Sequence, residues 1–242
     1  MLLEIDDIDV HYGPIQALRG LSLQLDAGEM VALIGANGAG KTTTLRTVSG
    51  MLEPTRGAVK LDGAEVGGRK AHEIVRMGVA HIPEGRELFA EMTVLDNLRM
   101  GYWSRRGAGP KQYEQDRDRV MDLLPRLRER ADQAAGTMSG GEQQMLVFAR
   151  ALMSRPRLLL VDELSLGLAP MIVNQLFDLL TEINAEGTAV LLVEQFVHLA
   201  LKNTSRAYVI SKGQVALAGD SAELLADTTL VSTYLGGEAA AS

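Results

Sequence analysis

The spacing of apolar and polar positions changes period several times along this 242-residue chain. "LEIDDIDVHY" alternates at Leu3 and Ile5, slips phase, and alternates again at Ile8, Val10 and Tyr12. That pattern predicts one or two strands with a bulge. "LSLQLDAGE" sets Leu21, Leu23 and Leu25 against Ser22 and Gln24, and Asp26-Ala27-Gly28 then turns the chain into the wholly apolar "MVALIG". "GAVKLDG" predicts another strand, closed by a turn at Asp62-Gly63. From about Thr93 the period lengthens. "TVLDNLRMGY" starts like a helix, with Thr93 as N-cap and Asp96 three residues on. "KQYEQDRDRVMDLLPRLRER" carries Val120, Leu123, Leu124 and Leu127 at helical spacing, and "SRRGAGP" before it reads as a loop. Then come "RLLLVDE" (strand), "MIVNQLFDLLTEIN" (amphipathic helix), and the strands "TAVLLVE", "RAYVIS" and "GQVALAG". Strands alternating with helices predict an α/β fold with a mostly parallel sheet. The first strands form an antiparallel β layer beside it, and residues 90–150 form a mostly helical insert.

Composition narrows the function more than the fold. A hydrophobic content of 46% supports a sizeable core. With no cysteine there is no disulfide framework and no thiolate metal site, which fits a reducing cytosol. No apolar run approaches a membrane span, and the acids of "MLLEIDDIDV" do not suit a signal peptide. A formal charge of −7, with four Phe and one Trp, argues against nucleic acid as a partner.

Three segments carry chemistry. "GANGAGKT", Gly35 to Thr42, has the glycine, lysine and threonine spacing of a phosphate-binding loop, set between an apolar strand and a helix. Its glycines let backbone N–H groups converge on phosphates, Lys41 adds a positive charge, and the Thr42 hydroxyl can ligate Mg²⁺. "LLLVDE" is a buried strand ending in two acids. Asp162 can hold Mg²⁺ through water, and Glu163 can orient and deprotonate an attacking water. "TMSGGEQQMLVFARAL" opens a helix with Ser139, Gly140 and Gly141, offering a hydroxyl and N–H groups to an anion.

A phosphate-binding loop, an S-G-G signature, and a strand ending in Asp-Glu about twenty residues later resemble, in that order, the ATP-binding subunits of ABC transporters. The resemblance spans the whole chain. It implies a P-loop NTPase core that hydrolyses ATP with Mg²⁺, as one cassette over 1–242. The nucleotide-binding core would occupy 1–89 and 151–242, and the helical signature subdomain 90–150. It implies ATP contacts from Gly35, Asn37, Gly38, Ala39, Gly40, Lys41, Thr42 and Thr43, with Tyr12 stacked on adenine. Tyr12 as a packed strand residue is the alternative. Ser139, Gly140 and Gly141 would act in trans on ATP held by a second subunit, in a head-to-tail dimer. Glu84, in "PEGRELF", stands where most relatives have glutamine, and either side chain offers an oxygen to Mg²⁺. A solvated loop acid is the other reading. Leu88 and Phe89 fall where the family receives a short helix of its membrane subunit, unless they simply pack within the insert.

Departures from the family pattern suggest the branch. "SGGEQ" replaces the commoner S-G-G-Q, Ala169 in "LSLGLAP" replaces an aspartate, Leu164 replaces a proline, and Gln195 replaces a histidine. With "PEGR" and the terminal "YLGG", these resemble ATPase subunits of branched-chain or hydrophobic amino-acid importers; the urea importers are their nearest neighbours. The implied partners are a paralogous ATPase subunit, two membrane-spanning permeases and, indirectly, a substrate-binding protein, at the cytoplasmic face of a bacterial inner membrane. Two other classes compete: a soluble ABC ATPase acting on nucleic acid or ribosomes, which usually has two cassettes or a long coiled coil, and a non-hydrolysing scaffold subunit. The strand end "AVLLVEQF" poses a last question. Adjacent strand residues face opposite sides, so Glu194 and Gln195 cannot both face the nucleotide. The resemblance assigns the γ-phosphate to Gln195 and turns Glu194 toward a neighbouring loop.

Overall fold

A computed structural model describes residues 1–226; "YLGG" and the small-residue tail after it lie outside them. Two sheets form its frame. The first is antiparallel, in the order β2 (Ile15–Leu25), β1 (Leu3–Tyr12), β4 (Arg56–Leu61), β5 (Ala64–Glu65). The phase slip in β1 is a bulge within one strand: its register against β2 shifts between Ile5 and Ile8, where Asp7 has a left-handed φ of 50°.

The second sheet runs β10 (Gln214–Asp220), β9 (Arg206–Ser211), β3 (Met30–Ile34), β8 (Ala189–Glu194), β7 (Leu158–Asp162), β6 (Val79–Ile82). Only the β9–β10 edge pair is antiparallel. β8 therefore lies between β3, which leads into the phosphate-binding loop, and β7, which ends in the acids.

The central strands are buried on both faces, and alternate residues feed different cores. In β8, Leu191 and Val193 pack with the antiparallel layer and with Leu45 and Val48 of helix α1 (Lys41–Val48). Val190 and Leu192 pack on the other side, against helices α6 (Gly140–Leu152) and α7 (Pro170–Ala185). In β7, Leu158 and Leu160 share the α1 side, so Asp162 continues toward the phosphate loop.

Helix α2 (Ala71–Arg76) precedes β6, and between β6 and β7 the chain is helical, from α3 (Val94–Gly101) to α6. Thr93 caps α3 as its sequence predicts, its hydroxyl accepting from the Asp96 N–H at 3.1 Å. Two local expectations need correction. "SRRGAGP" is mostly not open loop: Tyr102–Ala108 wind as a 3₁₀ helix, held where Arg105 and Arg155 both pair with the buried Asp116. Nor do Val120 and Leu127 share one helix. Pro125 disfavours helical backbone at Leu124, so α4 (Pro110–Leu123) ends and α5 (Pro125–Glu129) begins. No helix among the described residues is long and apolar enough to cross a membrane.

Candidate functional site

The phosphate-binding loop is held in its curve from beneath. Gly35 has no room for a side chain, since a Cβ there would lie 2.4 Å from the Ile210 carbonyl oxygen. Gly40 caps α1 with φ 114°, a backbone shape that favours glycine, and no side chain satisfies the first N–H groups of the helix. Those groups open into a cleft of about 390 Å³ lined by Asn37, Gly38, Gly40, Lys41, Thr42 and Thr43. Glu84, Glu163, Gln195, Leu166 and Ala17 complete its wall. A turn of donors at a helix N-terminus beside a lysine is a site for a polyanion.

Lys41 is nearly fully buried. Its Nζ donates to the carbonyls of Gly35 (2.9 Å) and Ala36 (3.3 Å) and lies 4.0 Å from Glu163 Oε1. Burial lowers its pKa, opposed by Glu163, Asp162, Glu194 and Glu84. Four carboxylates thus surround one ammonium, and a triphosphate entering this cleft calls for a further cation.

Asp162 points to where that cation would sit. It is buried at the end of β7, and neither carboxylate oxygen has a hydrogen-bond partner of full geometry. Burial pushes its pKa up to about 6, only partly offset by the neighbouring Thr42 hydroxyl and Lys41. An orphaned buried carboxylate beside a hydroxyl suits a hard cation. Among the described residues no three acids, histidines or cysteines form a ready metal cage. Mg²⁺ is one such cation, taking one or two protein oxygens and completing its shell with phosphate and water.

Glu163 follows with a left-handed φ of 49°. Such a backbone costs a non-glycine residue about 1–2 kcal/mol. The Glu163 N–H is fixed by the Val193 carbonyl of β8 at 2.9 Å, and the turn brings the carboxylate back over the cleft. Leu164 is buried in the helical-side core, which anchors the turn from below.

The end of β8 separates as strand parity requires. Gln195 continues the α1-facing row and lines the cleft. Glu194 is buried on the opposite side, accepting from the Ser165 N–H (3.0 Å) and hydroxyl (2.8 Å) and from the Gln195 N–H (3.2 Å). It joins the loop after β7 to the end of β8.

Not every expected residue meets at this cleft. Gly35 and Ala39 lie beneath the loop, and the Ala39 N–H is spent on Ala36 at 3.1 Å. Tyr12 stands half-exposed at the hairpin end of β1, paired with Ile15 and outside the phosphate cleft. Ser139 caps α6, and Ser139 and Gly141 line a separate groove with Met171 and Ile172. Within one chain the signature and the phosphate loop do not form a single pocket.

Sequence reading missed Asn97. Fully buried on α3, it accepts from the Phe89 N–H (3.1 Å) and donates to the carbonyls of Phe89 (3.1 Å) and Thr93 (3.0 Å). It pins the loop that begins at Glu84. The polar residue inside an otherwise apolar helical stripe, "VLDNLRM", was the available signal. Leu88 packs at the edge of the helical-side core, whereas Phe89 remains exposed beneath the Arg150 guanidinium.

Comparison with known proteins gives a consistent result. A family model described as ABC transporter matches residues 18–165. The high-affinity branched-chain amino acid transport ATP-binding protein BraG of Pseudomonas aeruginosa is 45% identical over 236 residues, covering 98% of this chain and 100% of its own. The lipopolysaccharide export system ATP-binding protein LptB of Acidithiobacillus ferridurans is 31% identical, with 98% of each chain covered. Among solved structures, the ADP conformation of MJ1267, an ATP-binding cassette of an ABC transporter, aligns with a TM-score of 0.85 at 26% identity, over 97% of this chain and 98% of that one.

Proposed function

This chain belongs to the ABC transporter family, and on that premise we propose that it powers an importer of branched-chain or other small apolar amino acids. The α/β P-loop fold and the ATPase activity expected from the sequence are borne out. The import reading rests on one observation: 45% identity to BraG over essentially the full length of both chains. LptB, an export-system subunit by name, is more distant at 31%.

In this reading the loop N–H groups, Lys41, Thr42 and Thr43 hold the phosphates of ATP, and Tyr12 stacks on the adenine. Thr42, Asp162 and Glu84 hold Mg²⁺, which when bound supplies charge neutralisation at the β and γ phosphates. Glu163 takes a proton from the attacking water. Gln195 donates its amide N–H to the γ-phosphate and accepts through its oxygen from water or a backbone N–H. Ser139, Gly140 and Gly141 complete the site of a second cassette, since within one chain they open on another groove. That partner is a paralogous ATPase subunit, with a homodimer formed in isolation. An exposed strip of Val75, Met100 and Trp103 beside Arg76 and Arg106 seats a permease subunit at the cytoplasmic face of the inner membrane. Phe89, exposed beneath Arg150, offers the same partner a further apolar contact.

Uptake by cells lacking the chain, then complemented, tests the import reading. Leucine, isoleucine and valine uptake falls at least about tenfold and returns with the wild-type chain. With Trp103→Glu it does not return, although the purified variant still hydrolyses ATP. Loss of urea uptake instead would move the cargo to the neighbouring branch, and unchanged uptake of both would remove the import reading.

The two residues ending β8 give a sharper test of the site. Gln195→Ala lowers turnover about tenfold or more with little change in ATP affinity, because one positioned donor in a water-excluded site contributes a few kcal/mol at most. Glu194→Ala lowers the melting temperature instead, since the Ser165 N–H and hydroxyl lose their buried acceptor. Steady-state phosphate release and thermal melts on both variants read the difference. If Glu194→Ala stops turnover in a stable protein while Gln195→Ala hydrolyses normally, the wrong face has been assigned.

A further inference from the structure

The signature serine is not free to meet an anion. Its hydroxyl donates to Glu142 Oε2 at 2.8 Å, and its backbone N–H donates to the same oxygen at 2.9 Å. The Glu142 N–H in turn donates to Ser139 Oγ at 3.4 Å, closing a capping box. The other carboxylate oxygen, Oε1, lies 2.7 Å from Arg130 Nε. A second cation stands nearby, because the Arg86 guanidinium occupies the space a side chain on Gly140 would need.

A hydroxyl has one proton to give, and a terminal phosphate oxygen only accepts. For Ser139 to bond a phosphate it must let go of Glu142. Phosphate and carboxylate then face the same hydroxyl as like charges a few ångströms apart. We propose that Glu142 is a latch on the signature serine, and that its negative charge, partly offset by Arg130, sets the ATP level at which two cassettes close. The proposal rests on the trans role given above to Ser139. Where the commoner signature places a neutral glutamine, this chain places a charge. Hydrogen bonds from the Ser139 N–H and hydroxyl, helped by Arg130, hold the Glu142 carboxyl below the usual range. Its charge therefore persists throughout the neutral range. Glu142 acts through Ser139 and is a positioning residue.

Opposite shifts from two conservative changes separate a latch from a mere cap. The parent is full-length Glu163→Gln, in which hydrolysis does not drain the closed state, and the readout is dimer formation by light scattering as MgATP is titrated. Glu142→Gln keeps an acceptor for the helix cap but loses the charge, so half-closure occurs at about tenfold less ATP. Arg130→Gln removes the offsetting cation, so half-closure requires several-fold more. Both shifts shrink between 50 mM and 500 mM salt, on the scale of roughly 10 Å falling to a few ångströms for the screening length. A purely structural role would push both variants the same way. An unchanged or higher threshold in Glu142→Gln overturns the latch, and so does an unchanged threshold in Arg130→Gln, which decides alone if Glu142→Gln does not fold. If the parent closes with ATP neither on itself nor on its paralogous partner, the trans reading fails and the latch fails with it. A parent that dimerises with thresholds insensitive to both changes loses the latch alone.

Discussion

Glu163→Gln retains ATP binding but turns over at least about a hundredfold more slowly, the usual range for losing a general base. The side chain keeps its size, and the left-handed turn that aims it is fixed by a backbone bond to Val193 rather than by the carboxylate. Binding does not suffer, because the change removes one negative charge from a cleft where Lys41 already feels Glu163, Asp162 and Glu84. ATP then persists at both interfaces of a dimer, and a closed dimer accumulates. Single-turnover phosphate release and light scattering measure the two effects. Hydrolysis at the wild-type rate would remove Glu163 as the base.

Lys41→Ala abolishes tight MgATP binding, with a loss of roughly a hundredfold or more. Hydrogen bonds to charged groups contribute about 1.5–3 kcal/mol each, and Lys41 is the lysine of this cleft. The change has a second cost. Asp162 and Glu163 lose their neighbouring cation, so the empty cleft becomes more negative and repels the nucleotide. The fold is little disturbed, since Nζ bonds only to carbonyls of its own loop. Equilibrium dialysis with labelled ATP, alongside a thermal melt, separates affinity from stability. Near-normal affinity in a folded variant would detach the loop from nucleotide binding.

The sequence by itself determined what depends on near neighbours. Alternation in "LSLQL" and the apolar run "MVALI" specify strands because backbone pairing and burial need only those residues and a partner sheet. The glycines and lysine of "GANGAGKT" specify an anion site because loop curvature and helix start are set within eight residues. The split between Glu194 and Gln195 follows from strand parity, and the cores on either side of β8 agree with it. Where the local reading failed, either a proline inside the stretch or a partner outside it had decided. Pro125 broke a helical period that Val120 and Leu127 appeared to share, and the Asp116 clamp wound a glycine- and arginine-rich stretch into a 3₁₀ turn.

Only the tertiary structure decided which strand lies beside which. The insertion of β8 between β3 and β7 brings Gln195 to a cleft whose loop lies some 155 residues earlier in the chain. The same order lets Val193 fix the turn at Glu163, and lets Glu194 bury itself against Ser165. Asn97 pins the Glu84 loop through contacts no periodicity encodes, and Arg130 reaches the Glu142 carboxylate that holds Ser139. Sheet order and side-chain partnership are long-range choices, made by which faces bury the most apolar surface together. A sequence pattern records that a face is apolar, but not which other face it meets.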